Sequence, residues 1–237
     1  MSVFVVTGAA GGIGSAVAHT VGGEGHTIVA VDLSPSLADR VVDLEADGVV
    51  VLPVQADLTT DEGLEAVVAA VRDAGPLQGL VNNAGITRDA RLVNMTDQAF
   101  EAVLAVNLGA VYRLTTALEP LFSEGSAIVN VSSRAYLGNF GQFNYSMSKG
   151  GLVGLTRAMA VRLAPRTRVN AVAPGLIGTE MVLTIPQETL QKMVDNIPLA
   201  RMGEPGEVAD LVAYLLSDRS SYITGHVHVI GGGRSLT

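Results

Sequence analysis

Residues 3–7 form a short β-branched and aromatic run, and T-G-A-A-G-G-I-G follows from Thr7 to Gly14 before a helical stretch that stops at Gly22, Gly23 and Gly25. An apolar run bounded by glycines reads as a buried strand, and a glycine-rich turn opening straight into a helix admits few architectures. Gly8 can turn with positive φ, Gly12 lets the backbone approach an anion, and Gly14 lets helix and strand pack closely. The N–H groups of the helix start, Ile13 among them, then point at the bound anion. This is the opening unit expected of a nucleotide-binding α/β chain.

Alternation continues to the carboxyl end. Further strands are expected over residues 26–31, 48–55, 77–81, 128–132, 167–173 and 226–230, separated by helical spacing. Thr59 with Glu62 looks like a capping box, Thr96 and Asp97 start a helix holding Asn107 near its middle, and Pro205 sits near the start of the helix over 203–217. With 237 residues, 48% of them apolar, the chain can bury one sizeable core. The expectation is a single domain, 1–237, with a Rossmann-like doubly wound parallel sheet and a lid over about 176–204.

Composition narrows the function. The absence of cysteine removes disulfides, thiolate nucleophiles and Cys-ligated zinc together. A net charge of −8, no Trp and 4% aromatic residues argue against a nucleic-acid surface. His19, His26, His226 and His228 form no H-E-x-x-H pattern, so no metal site is expected. The amino terminus lacks the form of a secretory signal, and no apolar run approaches the ~18 residues of a membrane span. The expectation is a soluble, cytoplasmic protein.

Chemistry concentrates between residues 128 and 151, I-V-N-V-S-S-R-A-Y-L-G-N-F-G-Q-F-N-Y-S-M-S-K-G-G. Tyr145 and Lys149 are four apart, which on a helix puts them on one face at roughly 5–6 Å between Cβ atoms. An adjacent ammonium stabilises phenolate and suits the phenol to acid–base work. Ser132 lies 13 positions before Tyr145 at an expected strand end, where open α/β sheets bind ligands. Ser133 is its chemical equal, but strand alternation points it to the other face. Asp32 ends the second strand 18 positions after Gly14, where a carboxylate accepts hydrogen bonds from ribose hydroxyls and repels a 2′-phosphate. Neither 9–12 nor 33–39 offers Lys or Arg, the first being Arg40, so NAD(H) is expected over NADP(H). A helix cap is the alternative role for Asp32.

The motifs T-G-x-x-x-G-x-G at residue 7, N-N-A-G at Asn82–Gly85, Y-S-M-S-K after Ser132, and P-G-L-I-G-T-E-M from Pro174 together resemble the short-chain dehydrogenase/reductase family over residues 3–233. The resemblance implies a catalytic set of Asn107, Ser132, Tyr145 and Lys149, with Asn107 holding a water near the lysine. It further implies that Asp57 and Leu58 frame adenine, that Asn83, Ala84 and Gly85 lie beside the cofactor, and that Pro174, Gly175, Ile177 and Thr179 flank the nicotinamide, where Tyr145 and Lys149 also reach it.

Reversible hydride transfer between a secondary alcohol and a ketone follows from that resemblance, with members acting on 3-oxoacyl and 3-hydroxyacyl thioesters most similar. Another apolar alcohol, such as a steroid, terpene or polyketide-like one, is the alternative substrate, and a catalytically silent NAD-binding sensor is the alternative function. An acyl-carrier substrate would need a basic patch, for which Arg157, Arg162, Arg166 and Arg168 are candidates. Met181, Leu183, Ile185 and Met193 are expected to line the lid over an apolar substrate. Homotetramers through the helices around 97–121 and 145–164 and the last strand are the implied assembly, with a dimer as the alternative.

Overall fold

The computed structural model describes residues 2–236, Met181 and Leu236 through their backbone only. Seven strands, β1 (Val3–Thr7), β2 (Thr27–Asp32), β3 (Val50–Gln55), β4 (Leu77–Asn82), β5 (Phe122–Val131), β6 (Thr167–Pro174) and β7 (Val227–Ile230), form one parallel sheet in the order β3-β2-β1-β4-β5-β6-β7. The chain runs outward from β1 to β3 and then returns to place β4 on the other side of β1. That reversal opens a crevice at the carboxyl ends of β1 and β4, the place where open α/β sheets take ligands.

Side chains alternate across the sheet, so both faces are apolar and each is covered. Phe4, Val6, Ile28 and Val129 pack with Val17 and Val21 of α1 (Gly12–Gly23), Leu37 and Leu44 of α2 (Leu37–Ala46), and Val208 and Val212 of α9 (Pro205–Leu216). Val5, Val29, Leu80 and Ile128 pack on the other face with Val67 and Val71 of α3 (Asp61–Ala74), Leu114 and Leu118 of α5 (Val111–Leu118), and Met159 of α6 (Phe143–Leu163). Pro205 begins α9, where the Glu207 carboxylate accepts the Glu204 N–H at 2.8 Å.

Three local expectations change. Thr59 does not cap α3: its N–H and hydroxyl both bond to Asp57, and the cap is Thr60, whose Oγ1 accepts the Gly63 N–H at 3.1 Å. Strand β5 begins at Phe122, six residues before the expected 128, because Gly125 at φ +75° lets the Ser-Glu-Gly-Ser stretch stay on the sheet, its N–H bonded to the Arg166 carbonyl. The helix through Asn107 is not continuous. It consists of α4 (Asp97–Leu104), a π turn (Ala105–Ala110) and α5, so the polar residue sits where the helix widens. Short helices α7 (Glu180–Leu183) and α8 (Gln187–Val194) occupy the lid segment.

Candidate active site

The site begins with the turn after β1. Gly8 has φ +66°, and a methyl group on it would stand 2.7 Å from Asn83 Nδ2. A methyl on Gly14 would stand 2.0 Å from the Gly8 carbonyl oxygen, so this turn and the start of α1 are built for glycine. Asn83 uses its amide to donate to the carbonyls of Thr7 and Gly8, at 3.0 and 3.1 Å. Thr7, whose single role the sequence did not show, accepts the N–H groups of Asn83 and Ala84 through one buried hydroxyl, each at 3.0 Å. It stitches β1 to the turn after β4. Asn82, by contrast, turns inward and donates to Asn130 and Thr115.

One cavity of about 280 Å³ lies beyond this turn, lined by Asp32, Asp57, Leu58, Ala84 and Gly85 among others. Each Asp32 oxygen accepts one backbone N–H, from Ala10 at 3.0 Å and from Ser34 at 2.9 Å, which fixes the carboxylate and leaves lone pairs for further donors. Asp57 is held by Thr59, whose side-chain and then backbone hydrogen bonds lower its pKa against a smaller opposing effect of burial. Arg40 is committed to Asp43 and Glu180, at 3.4 and 3.6 Å.

A second cavity of about 390 Å³ shares Gly11, Asn83, Gly85 and Ile86 with the first and reaches Ser132, Ser133, Tyr145, Lys149, Pro174, Gly175, Ile177 and Thr179. Gly12 and Ile13 line it from the turn. The two cavities together form a cleft with acid–base groups at one end and a fixed carboxylate at the other.

Ser132 and Ser133 both line this cavity, in different settings. Ser132 is 3% exposed, and its Oγ donates to the Lys149 carbonyl at 2.9 Å. The alternation that set Ser133 aside ends with β5 at Val131, and beyond it Ser133 caps a 3-10 turn (Arg134–Leu137), accepting the Ala135 N–H at 3.1 Å. From there it lines the same cavity as Tyr145, and its hydroxyl works to lower the phenol's pKa. Two adjacent serines therefore do different things: one braces the backbone of α6, the other meets the phenol.

Lys149 Nζ lies 5.7 Å from the centre of the Tyr145 ring and donates to the Val131 carbonyl at 2.8 Å. Burial pushes this ammonium down to about 8. The phenol is not acidified as expected: burial, the largest effect, raises its pKa, the Ser133 hydroxyl opposes this, and the charge of Asp89 adds to the rise. Desolvation sets the direction here.

Asn107, fully buried, has no free side-chain donor. Its Oδ1 accepts the Ile86 N–H at 2.8 Å, and its Nδ2 donates to the Ile86 carbonyl at 3.0 Å and to Ser148 Oγ at 3.1 Å. The side chain is thus a brace between elements, joining the π turn to the segment after β4 and to α6.

The lid also departs from expectation. Val182 lines the cavity, while Leu183 is 61% exposed and Ile185 and Met193 are half-buried away from it; the Met181 side chain lies outside the described residues. Glu180 lines the cavity too, so the wall is less apolar than the sequence suggests. Three of the four arginines are engaged with other groups of the protein. Arg166 bonds to the Phe122 carbonyl, Arg168 is spent on the carbonyls of Leu215 and Ser217 and on Ser220, and Arg162 pairs with Glu119 at 2.8 Å.

A family model described as enoyl-(acyl carrier protein) reductase matches residues 8–235. The 3-oxoacyl-[acyl-carrier-protein] reductase FabG of Thermotoga maritima is 44% identical over 241 residues, covering 98% of this chain and 96% of that protein. A solved short-chain dehydrogenase/reductase from Brucella melitensis, titled a glucose/ribitol dehydrogenase, superposes with TM-score 0.94 at 33% identity, over 98% of this chain and 96% of that one. The chain belongs to the short-chain dehydrogenase/reductase family. As such it is an oxidoreductase that works on an alcohol–carbonyl pair with a nicotinamide cofactor. Actinorhodin polyketide ketoreductase, solved as a point variant with NADPH, is another short-chain fold of this shape, with TM-score 0.94 at 30% identity over 100% of this chain and 98% of that one. The glycine cradle at Gly8 and Gly14, the adjoining cavities and the carboxylate at Asp32 fit a dinucleotide laid across the crevice. None of the helices in the described residues is long and apolar enough to cross a membrane.

Proposed function

We propose that this short-chain dehydrogenase/reductase interconverts a 3-oxoacyl and a 3-hydroxyacyl thioester, using NAD(H) in preference to NADP(H). The observation that carries the reading is the Ser133–Tyr145–Lys149 group at one end of a cleft whose other end holds Asp32. The thioester half is supported by the likeness to the Thermotoga maritima 3-oxoacyl reductase.

Residues on the phosphate turn, Gly12, Ile13 and Gly14, would hold the pyrophosphate, and Asp57, Leu58, Asn83, Ala84 and Gly85 would flank the adenosine and its ribose. Asp32 would accept the adenosine 2′ and 3′ hydroxyls; its fixed charge disfavours a 2′-phosphate. Pro174, Gly175, Ile177 and Thr179 would orient the nicotinamide, with Lys149 on its ribose hydroxyls. When bound, the nicotinamide supplies the hydride acceptor or donor.

Ser133 donates a hydrogen bond to the substrate oxygen, the role expected of Ser132, and Tyr145 exchanges the proton with that same oxygen. Lys149 offsets negative charge on the phenol. Asn107 fixes the turn beside Lys149, where a water would pass the proton onward to solvent. Ser132 keeps α6 against the end of β5 so that Tyr145 and Lys149 stay aligned.

Assembly into a homotetramer is part of the proposal. Tyr112 on α5, Met147 and Val161 on α6 and Val229 on β7 are apolar and exposed on the elements expected to meet. Light scattering of the purified protein tests that point. For the reaction, acetoacetyl-CoA and a panel of cyclic ketones are reduced in parallel with NADH and NADPH. Turnover of the thioester with NADH foremost is the expected result; a clear NADPH preference would overturn the Asp32 reading, and no turnover with retained NADH binding would turn the reading to a silent sensor.

A further inference from the structure

We infer that Ser148 is a positioning residue: its hydroxyl clamps the π turn carrying Asn107 to the first turn of α6 and so sets where the Tyr145 phenol sits. The inference rests on the proposed role of Tyr145 in proton transfer.

Ser148 is fully buried, three residues after Tyr145 and one before Lys149. Its Oγ donates to the Tyr145 carbonyl at 2.8 Å and accepts from Asn107 Nδ2 at 3.1 Å. One hydroxyl thus spends its single proton on α6 and a lone pair on the π turn. Bonding back to a carbonyl in the preceding turn is ordinary for a helical serine. A donor arriving from a separate element is not, and it makes the hydroxyl a joint between two segments that the backbone does not otherwise connect.

The Asn107 amide has no spare partner. Its oxygen and its other N–H are taken by Ile86, so loss of the Ser148 hydroxyl strands a fully buried N–H. The neighbourhood transmits any adjustment. A methyl on Gly85 would stand 3.2 Å from Asn107 Oδ1 and 3.4 Å from Lys149 Nζ, so Asn107, the turn after β4 and the ammonium share one small space. The groups that act on the phenol are the Ser133 hydroxyl, the Lys149 ammonium on its own helix and the Asp89 carboxylate from the loop after β4. Ser148 is none of these, and its influence on Tyr145 is through position.

The test uses Ser148→Ala and the near-isosteric Ser148→Cys in the full chain, with Tyr145→Phe as the spectroscopic blank. Phenol ionisation is followed by near-ultraviolet absorbance without cofactor, NADH binding by fluorescence, and turnover by NADH oxidation. Both variants are expected to move the Tyr145 titration and to lower kcat about tenfold, while NADH affinity stays within about twofold. A folded variant whose Tyr145 titration and kcat match the wild type overturns the inference. If the alanine variant fails to fold, the cysteine variant carries the same comparison. Wild-type protein that reduces no ketone would sink the functional reading alone, since the absorbance titration still reads the clamp.

Discussion

The Ser132 hydroxyl gives its proton to the Lys149 carbonyl at 2.9 Å, whereas the adjacent Ser133 hydroxyl lines the cavity beside Tyr145 and acts to lower the phenol's pKa. This division assigns the two serines different consequences on removal. Ser133→Ala is expected to cut kcat by about 10² or more, the scale of losing one donor to a developing oxyanion. Ser132→Ala is expected to cost about 1 kcal/mol of stability with a much smaller fall in kcat. Steady-state kinetics and urea unfolding of the two variants check this, and the reverse ranking in kcat would return the role to Ser132.

The proposed preference for NAD(H) rests on the charge of Asp32 rather than on shape. Asp32→Asn keeps an oxygen for one of the two N–H groups that now hold it, and removes the charge that faces a 2′-phosphate. The ratio of kcat/KM for NADPH over NADH is expected to rise by about tenfold or more, equivalent to ~1.4 kcal/mol. An unchanged ratio means that discrimination lies elsewhere in the cavity.

Lys149 carries its charge at a cost in stability. Burial lowers the folded-state pKa from 10.5 to about 8, so between those values the unfolded chain binds more protons and stability contributed by this group rises with pH. Below pH 8 the buried ammonium is fully charged and the penalty is largest. Lys149→Met removes it, so the variant's stability relative to wild type should be most favourable near pH 7 and should decline as pH approaches 10. Paired unfolding curves across that range decide the matter; a difference independent of pH would rule out the titration.

Asp89 adds to the rise in the Tyr145 pKa, while Ser133 works against it. Asp89→Asn is therefore expected to shift phenol ionisation to lower pH and Ser133→Ala to shift it higher. Absorbance titration against a Tyr145→Phe blank reads both shifts. A shift of the same sign in the two variants would contradict the assignment.

Much of the fold was legible because its signals are local. Glycines after β1, alternating apolar runs and Pro205 at the start of α9 each act within a few residues, and the structure places the corresponding elements close to their expected limits. Legibility fails where a group outside the pattern being read decides the outcome. Thr59 has the residue type of a cap, yet the Asp57 carboxylate claims its hydroxyl. Strand alternation and the 13-residue spacing favoured Ser132 over Ser133, but the end of a strand is set by pairing with β6, and alternation has no meaning past that point. The arginines Arg166 and Arg168 look available in the sequence because the carbonyls that occupy them come from distant segments. Similarly, an i, i+4 rule brings Tyr145 and Lys149 together but says nothing of the burial that opposes ionisation of both.

Strand order has a temporal consequence. Residues lining the adenosine cavity run only from Gly8 to Ala110, whereas the adjoining catalytic cavity draws on residues as late as Val182. A ribosome making this chain releases every constituent of the nucleotide end before Tyr145 has left the exit tunnel. The order of the sheet thus writes the two ends of the cleft onto successive lengths of nascent polypeptide, with the Asp32 end complete before the Tyr145 end is made.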